Sequence, residues 1–464
     1  MASVEAYRDL GEAAWSWVVS HVAEDDGPWL PVTVAENSPE MTPPKDRDCL
    51  YDGIAGLAPV LAEIAMYRDH QQLERAVATR IAARLRAETS LRMEPSLYNG
   101  VAGDAMALRL LSPGSETVAL HRLVELMTPM GWHSTYQLET GADAPLTDVI
   151  GGTAGIMLTA IWAGGEHAAM IAEAGGACLL RAADSTAAGL DWGMWPHAEG
   201  RMPNYSHGTA GIATALAVAG KALDRQDFIR AARLGAQHLL TVGMLDDGGF
   251  IIPHTIPPSR RVVDPVTYGW CHGPAGTSYL FAALAHAGVT EVGGLEVADL
   301  RRRCLHSILT SGVPQRIRPG FWDNDGRCCG TAGVGDALLD AAQDSHDSER
   351  TDELLHAART MGDALVERAI RDGAGARWRF VEYRDDPPLL PPGTSWMQGA
   401  AGIAAYLLRL SRVLQDGPSA AHVVDRPDQW WAIPPPLRTV HTPSRATTTQ
   451  DGLGTNDVRD DNIP

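Results

Sequence analysis

Basic charge is scarce in this chain. Its 38 Lys and Arg stand against 57 Asp and Glu, a net charge of −19. A protein that binds nucleic acid needs a basic stripe for the phosphates, so this balance argues against nucleic acid and against anionic membranes. It leaves room for a neutral or basic peptide partner. Long apolar runs are missing as well. No stretch approaches the roughly 20 apolar residues that span a bilayer, and residues 1–26 carry scattered acidic residues rather than the apolar core of a signal peptide. Cysteine is sparse too, six in 464 residues, which excludes a disulfide framework. The expectation is a cytoplasmic protein with reduced thiols, in which metal binding or catalysis is the informative use of cysteine.

What the chain has in abundance is one repeated phrase, Gly-x-x-Gly followed by an apolar run. It starts at Gly53, Gly100, Gly152, Gly208, Gly273, Gly330 and Gly399, at intervals of 47, 52, 56, 65, 57 and 69 residues. Self-similarity at a nearly fixed period marks a repeat architecture. The segments after each phrase, such as 156–164 and 212–220, are small, apolar and uncharged over two to three turns, which predicts helices buried all round. Between them lie amphipathic stretches at 72–88, 226–241, 296–310 and 352–370, with apolar residues at helical spacing, which predict outer helices.

Seven buried helices alternating with seven amphipathic ones predict an all-α fold, an α/α toroid with an inner and an outer ring. Short β-hairpin pieces are expected beside it; Asp246-Asp247-Gly248-Gly249 before Phe250-Ile251-Ile252 is one. The chain divides into an N-terminal helix and irregular lead-in (1–49), the toroid (50–414) and a Pro/Thr/Asp-rich tail (415–464) expected to be mostly disordered.

In a toroid the turns before the inner helices converge on one axis. Chemistry-bearing residues cluster in three of these turns: His207 before Gly208, Cys271 and His272 before Gly273, and Cys328 and Cys329 before Gly330. Three thiolates suit Zn²⁺ and leave one tetrahedral position open, the arrangement of a catalytic rather than a structural site. The plain alternative is that they are ordinary buried cysteines; Cys49, Cys178 and Cys304 are read that way. His207 is a candidate acid/base. Asp148 is a candidate to orient it, with a helix-cap role as the competing reading. His272, a ligand or a lining residue, joins Tyr205 and Trp270 as pocket candidates, and His197 is a weaker one. His133, His238 and His254 carry no positional signal.

On the seven Gly repeats, Ser206-His207-Gly208, Trp270-Cys271-His272-Gly273 and the Cys328-Cys329-Gly330 turn, the chain resembles the lanthionine synthetase C-like family over residues 50 to 410. The resemblance implies an α/α toroid with zinc at one end. It implies a cyclase that adds cysteine thiols to dehydroalanine or dehydrobutyrine, forming (methyl)lanthionine thioethers in a ribosomal peptide. Cys271 and Cys328 match two zinc ligands, and Cys329 stands where the family most often has His, as in a subset of cyclases with three cysteine ligands. His207 matches the proposed acid/base histidine and Asp148 its acidic helper. The family's lantibiotic cyclases would have Arg where Thr267 stands. The Trp-Cys-His-Gly wording is closer to eukaryotic-type members linked to glutathione addition.

The expected partners are a dehydrated precursor peptide and a separate dehydratase, since the chain reads as a stand-alone cyclase. Two alternatives stay open. One is addition of glutathione or another small thiol, for which Arg316, Arg318 and Arg327 would form a basic rim. The other is a non-catalytic toroid that binds peptides or an enzyme. A sugar-processing α/α barrel needs paired carboxylates, and none stands at the repeat turns.

Overall fold

The computed structural model describes residues 1–35, 41, 43–135, 145–258, 264–316, 324–373, 375–381 and 388–420. The expected disordered tail therefore lies, from residue 421 on, outside the described residues, as does Arg318. Seven helices form an inner ring: α2 (Ala58–Ala65, entered through a 3₁₀ turn, Ile54–Leu57), α4 (Val101–Leu111), α6 (Thr153–Ala163), α8 (Thr209–Leu223), α10 (Pro274–His286), α12 (Thr331–Asp344) and α14 (Ala400–Asp416). Each packs on the next, and α14 packs on α2, so the ring is closed. Seven more helices cover it: α1 (Val4–Ser20), α3 (Gln72–Glu88), α5 (Thr117–Glu125), α7 (Ala168–Ala182), α9 (Gln226–Val242), α11 (Val297–Thr310) and α13 (Ser348–Arg368). Strands among the described residues form short antiparallel pairs, including the expected Met244–Asp246 with Gly249–Ile251. No described helix is long and apolar enough to cross a membrane.

The lead-in is less separate than its sequence suggests. Helix α1 lies along α14 and is the outer helix of the seventh repeat. Trp15 on α1 donates its indole N–H to Glu74 on α3 at 2.8 Å, and Arg68 bridges Glu74 (2.7 Å) and Glu12 (2.7 Å). Burial opposes ionisation of Glu74. The Arg68 guanidinium, the Gln71 backbone N–H and the Trp15 indole outweigh it and hold the carboxyl down at about 2. A carboxyl depressed in the fold stabilises it above the unfolded pKa and ceases to do so as pH falls through the folded one. The stability difference between wild type and Glu74→Gln is therefore largest above about pH 4.5 and shrinks on acidification toward pH 2, as denaturant titrations at several pH values would read.

Each inner helix starts directly after the first Gly of its phrase. The reason is space rather than dihedral preference. Gly208 has an extended backbone (φ −157°), which any residue adopts. A Cβ there would lie 1.8 Å from the Met202 carbonyl oxygen, and one on Gly211 would lie 1.9 Å from that of Tyr205. The two glycines let the turn fold back against its own carbonyls, which no side chain permits.

These turns are stitched into a circle. The residues two places before each first Gly bond one to the next through the backbone. Tyr51 donates its N–H to the Tyr98 carbonyl (2.9 Å), Tyr98 to Ile150 (3.3 Å), Ile150 to Ser206 (3.3 Å), Ser206 to Cys271 (3.0 Å), Cys271 to Cys328 (3.2 Å), Cys328 to Met397 (2.7 Å), and Met397 back to Tyr51 (3.2 Å). Backbone polar groups at the mouth of a closed ring must find partners, and here each turn satisfies its neighbour.

Candidate metal centre

Two of the three clustered cysteines, Cys271 and Cys328, are adjacent members of that circle, and Cys329 follows Cys328. Their sulfurs all lie within 4.8 Å of one another. Cys271 and Cys328 are buried and Cys329 is half-buried. The three thiols share hydrogen bonds unequally. Donation from Cys271 and Cys329 outweighs burial and pushes Cys328 well below the ordinary thiol range, and the Tyr51 hydroxyl adds to the lowering. The same bonds to Cys328 and Cys329, and then burial, push Cys271 well above it. The other three cysteines, Cys49, Cys178 and Cys304, are buried elsewhere.

One turn further round, His207 meets Asp148. Asp148 is fully buried, and its Oδ2 accepts the His207 Nδ1–H at 2.6 Å. Its Oδ1 accepts the Gly151 N–H at 3.0 Å. Asp148 does not cap helix α6, whose N-cap is Gly152 with no side-chain bond; its carboxylate instead joins the turn at Gly151 to the His207 ring. With Nδ1 so engaged, Nε2 is the nitrogen left for other chemistry. His207 is close enough to act electrostatically on the Cys328 thiol.

His272 stands beside this pair, its ring 5.5 Å from that of His207. The Asn204 amide donates to the His254 carbonyl at 3.0 Å, so its Oδ1 accepts the His272 Nδ1–H at 2.7 Å. His254, which carries no signal in the sequence, stacks on His272 at 4.0 Å. Desolvation, then the neighbouring imidazoles, push His272 well below the ordinary range. Desolvation, then His207, lowers His254 to about 4. Both rings are neutral near pH 7. The other two pocket candidates, Tyr205 and Trp270, are fully buried and meet edge to face at 5.4 Å.

Two expectations are corrected. Arg327 does not stand on a rim. It is buried over the Trp396 ring at 4.8 Å, 6.0 Å from Trp270 and 3.4 Å from Asp336, because a cation at its position is covered from both sides by the neighbouring turns. His197 is not enclosed in a pocket: its side chain is 89 % exposed, 3.5 Å from Asp184. One residue of the site was missed by reading only Cys and His before each Gly. Tyr51, the first member of the circle, lies close enough for its hydroxyl to help lower the Cys328 thiol, and that hydroxyl accepts the Gln398 amide N–H at 2.9 Å. Aligning the seven turns on their first Gly puts Tyr51 in the same register as Cys271 and Cys328.

No curated protein sequence matches the chain. Among solved structures, a nisin cyclase is similar at 14% identity and a TM-score of 0.49, covering 78% of this chain and 88% of that one. An unsaturated glucuronyl hydrolase from Bacillus sp. GL1 is similar at 16% identity and a TM-score of 0.47, covering 88% and 97%. The sequence-family model described as "Lanthionine synthetase C-like protein" matches residues 44–416. That span holds all seven glycine turns and the cysteine cluster, and the chain belongs to the lanthionine synthetase C-like family.

Proposed function

We propose that this protein closes thioether rings by conjugate addition, joining a cysteine thiol of a dehydrated precursor peptide to dehydroalanine or dehydrobutyrine. The observation that supports this reading is the cluster of three sulfurs beside the His207–Asp148 pair, on adjoining turns of one circle. Family membership supports a cyclase-type role.

The donor set fits zinc. Sulfurs on a tetrahedral zinc stand about 3.8 Å apart, given a Zn–S bond of about 2.3 Å, and here all three fall within 4.8 Å of one another. Cys271, Cys328 and Cys329 would hold the ion, leaving one position for substrate. Bound there, zinc would favour the thiolate form of a substrate cysteine near neutral pH.

The chain's own residues would manage the protons. The new bond joins sulfur to the β-carbon. The alkene π pair shifts to the carbonyl as an enolate, and the α-carbon then takes a proton. His207 would deliver it from Nε2 while Asp148 holds Nδ1–H and stabilises the imidazolium. One proton leaves the thiol and one reaches the α-carbon, so ring closure is proton-neutral. A fixed imidazole offers its proton from one side, which would set the configuration at that carbon. A separate dehydratase would supply the alkene. Glutathione addition could use the same residues, but it loses part of its basic rim: Arg327 is buried, and Arg316 is paired to Asp325 at 3.3 Å.

Metal content by plasma mass spectrometry tests the reading. One zinc per chain is expected in wild type and none in Cys271→Ala or Cys328→Ala. Reduced, folded wild-type protein without zinc would move the function to peptide binding. A dehydroalanine peptide with an internal cysteine, offered together with glutathione, separates ring closure from small-thiol addition.

A further inference from the structure

His272 follows Cys271 in the chain and stands beside His207 in space, the two ring centres 5.5 Å apart. Its orientation is fixed from the neighbouring turn. Asn204, in the turn that carries His207, is fully buried. Its amide N–H groups are engaged by the His254 (3.0 Å) and Pro253 (3.3 Å) carbonyls. Its oxygen is left to accept the His272 Nδ1–H at 2.7 Å. That bond places the ring's proton on Nδ1 and a lone pair on Nε2. His254 covers one face of the ring at 4.0 Å. No described carboxylate pairs with the ring, and a stacked imidazole disfavours a second proton on it. Among the described residues none bonds Nε2, and the side chain is only half-buried.

An acceptor held in this way is chemically selective. It refuses a carbonyl, a carboxylate or an enolate oxygen, and it takes a donor. In a dehydroalanine or dehydrobutyrine residue the donor is the backbone N–H, attached to the α-carbon itself. That is the carbon to which His207 delivers its proton in the proposed reaction. We propose that His272 Nε2 accepts the backbone N–H of the dehydro residue and so determines which way round that residue lies in front of His207. The inference rests on the thioether-forming reading. Three directions around one planar carbon are then fixed: the β-carbon toward the sulfur cluster, the N–H toward His272, and the proton source at His207. Exchanging the N–H and the carbonyl turns the opposite face of the alkene to His207. His272 is in this sense a specificity-determining residue, choosing the face that is protonated.

The test gives the zinc-loaded full chain two cysteine-containing peptides. One has dehydroalanine in an ordinary amide; in the other an ester oxygen replaces that N–H. Each ring-closure rate is divided by the uncatalysed closure rate of the same peptide, which removes their difference in intrinsic reactivity. Wild type is expected to favour the amide by about 10–100-fold, the effect of leaving a fixed acceptor unpaired. His272→Leu removes the preference. His272→Gln, whose side-chain oxygen can stand near the Nε2 position, keeps most of it, which loosened packing alone does not explain. A wild type without preference overturns the proposal. So does a zinc-loaded His272→Leu that keeps the preference, or a His272→Gln that loses it. If His272→Leu does not fold, the wild-type ratio and His272→Gln decide. Wild-type protein that holds zinc but closes no ring in the amide peptide overturns the thioether reading, and this proposal with it.

Discussion

Replacing His207 with Phe lowers the rate of thioether formation by about 10²–10⁴-fold, the range a positioned proton donor supplies, and leaves one zinc per chain. Phe retains the flat ring and its packing but has no proton to give. The effect should be visible in the product as well as in the rate. In D₂O the wild-type enzyme should place one deuterium at the α-carbon with a single configuration. The variant, protonated by bulk water, should give both epimers. Chromatography of the hydrolysed thioether amino acids, with mass spectrometry, reads both. Rings that close at the wild-type rate with one configuration would reject the assignment. The variant also leaves the buried Asp148 carboxylate without its imidazole, so its thermal midpoint should be recorded alongside.

Replacing Arg409 with Met destabilises the protein by about 3–5 kcal/mol, the usual consequence of stranding a buried charge. Arg409 lies on the inner helix α14 and is almost wholly buried. Its guanidinium meets Asp336 at 3.1 Å, Asp340 at 2.6 Å and the Gln343 side-chain oxygen at 2.7 Å. Asp340 in turn accepts the Tyr279 hydroxyl at 2.7 Å. The network ties α10, α12 and α14 together inside the ring. Without Arg409, Asp340 keeps the Tyr279 hydroxyl and Asp336 keeps Arg327 at 3.4 Å, but both buried carboxyls lose their closest cation. Arg302 is the contrast: it pairs with Asp299 on the outer face of α11 and is half-exposed, and Arg302→Met should cost less than about 1 kcal/mol. Urea denaturation followed by circular dichroism compares the two. Equal midpoints would mean the inner network contributes no more than a surface pair.

Much of this arrangement could be read from the residues, because the glycine phrase has a single steric cause repeated seven times. A turn that folds against its own carbonyls tolerates no Cβ at two positions, so the phrase marks each inner helix and its neighbours in space. For the same reason the cysteines before Gly273 and Gly330 could be placed together although nearly sixty residues separate their turns. Three features escaped. The role of α1 depends on α14, its partner from the opposite end of the chain, and linear order hides that adjacency. Tyr51 and Gln398 are chemically unremarkable until the circle closes and brings them together across the two ends of the chain, near Cys328 in the case of Tyr51. His254 comes from the irregular segment before Gly273, whose path depends on the Asn204 amide rather than on any periodic pattern.

The circular stitching also has a consequence in time. A chain emerges from the ribosome in order, whereas a circle has no first member. Helix α1 precedes every other described helix, yet the surface it covers belongs to α14, which follows them all. An open solenoid can fold behind the ribosome repeat by repeat, each unit resting on the one before. Helix α1 must wait for this partner, its apolar face exposed, until the seventh glycine turn has been made and Met397 can bond back to Tyr51. Until then the turns that carry Cys271, Cys328 and His207 have no closed mouth to face. Completion of the circle and completion of the site are therefore one late event, and the waiting chain is the form most exposed to aggregation or to proteases.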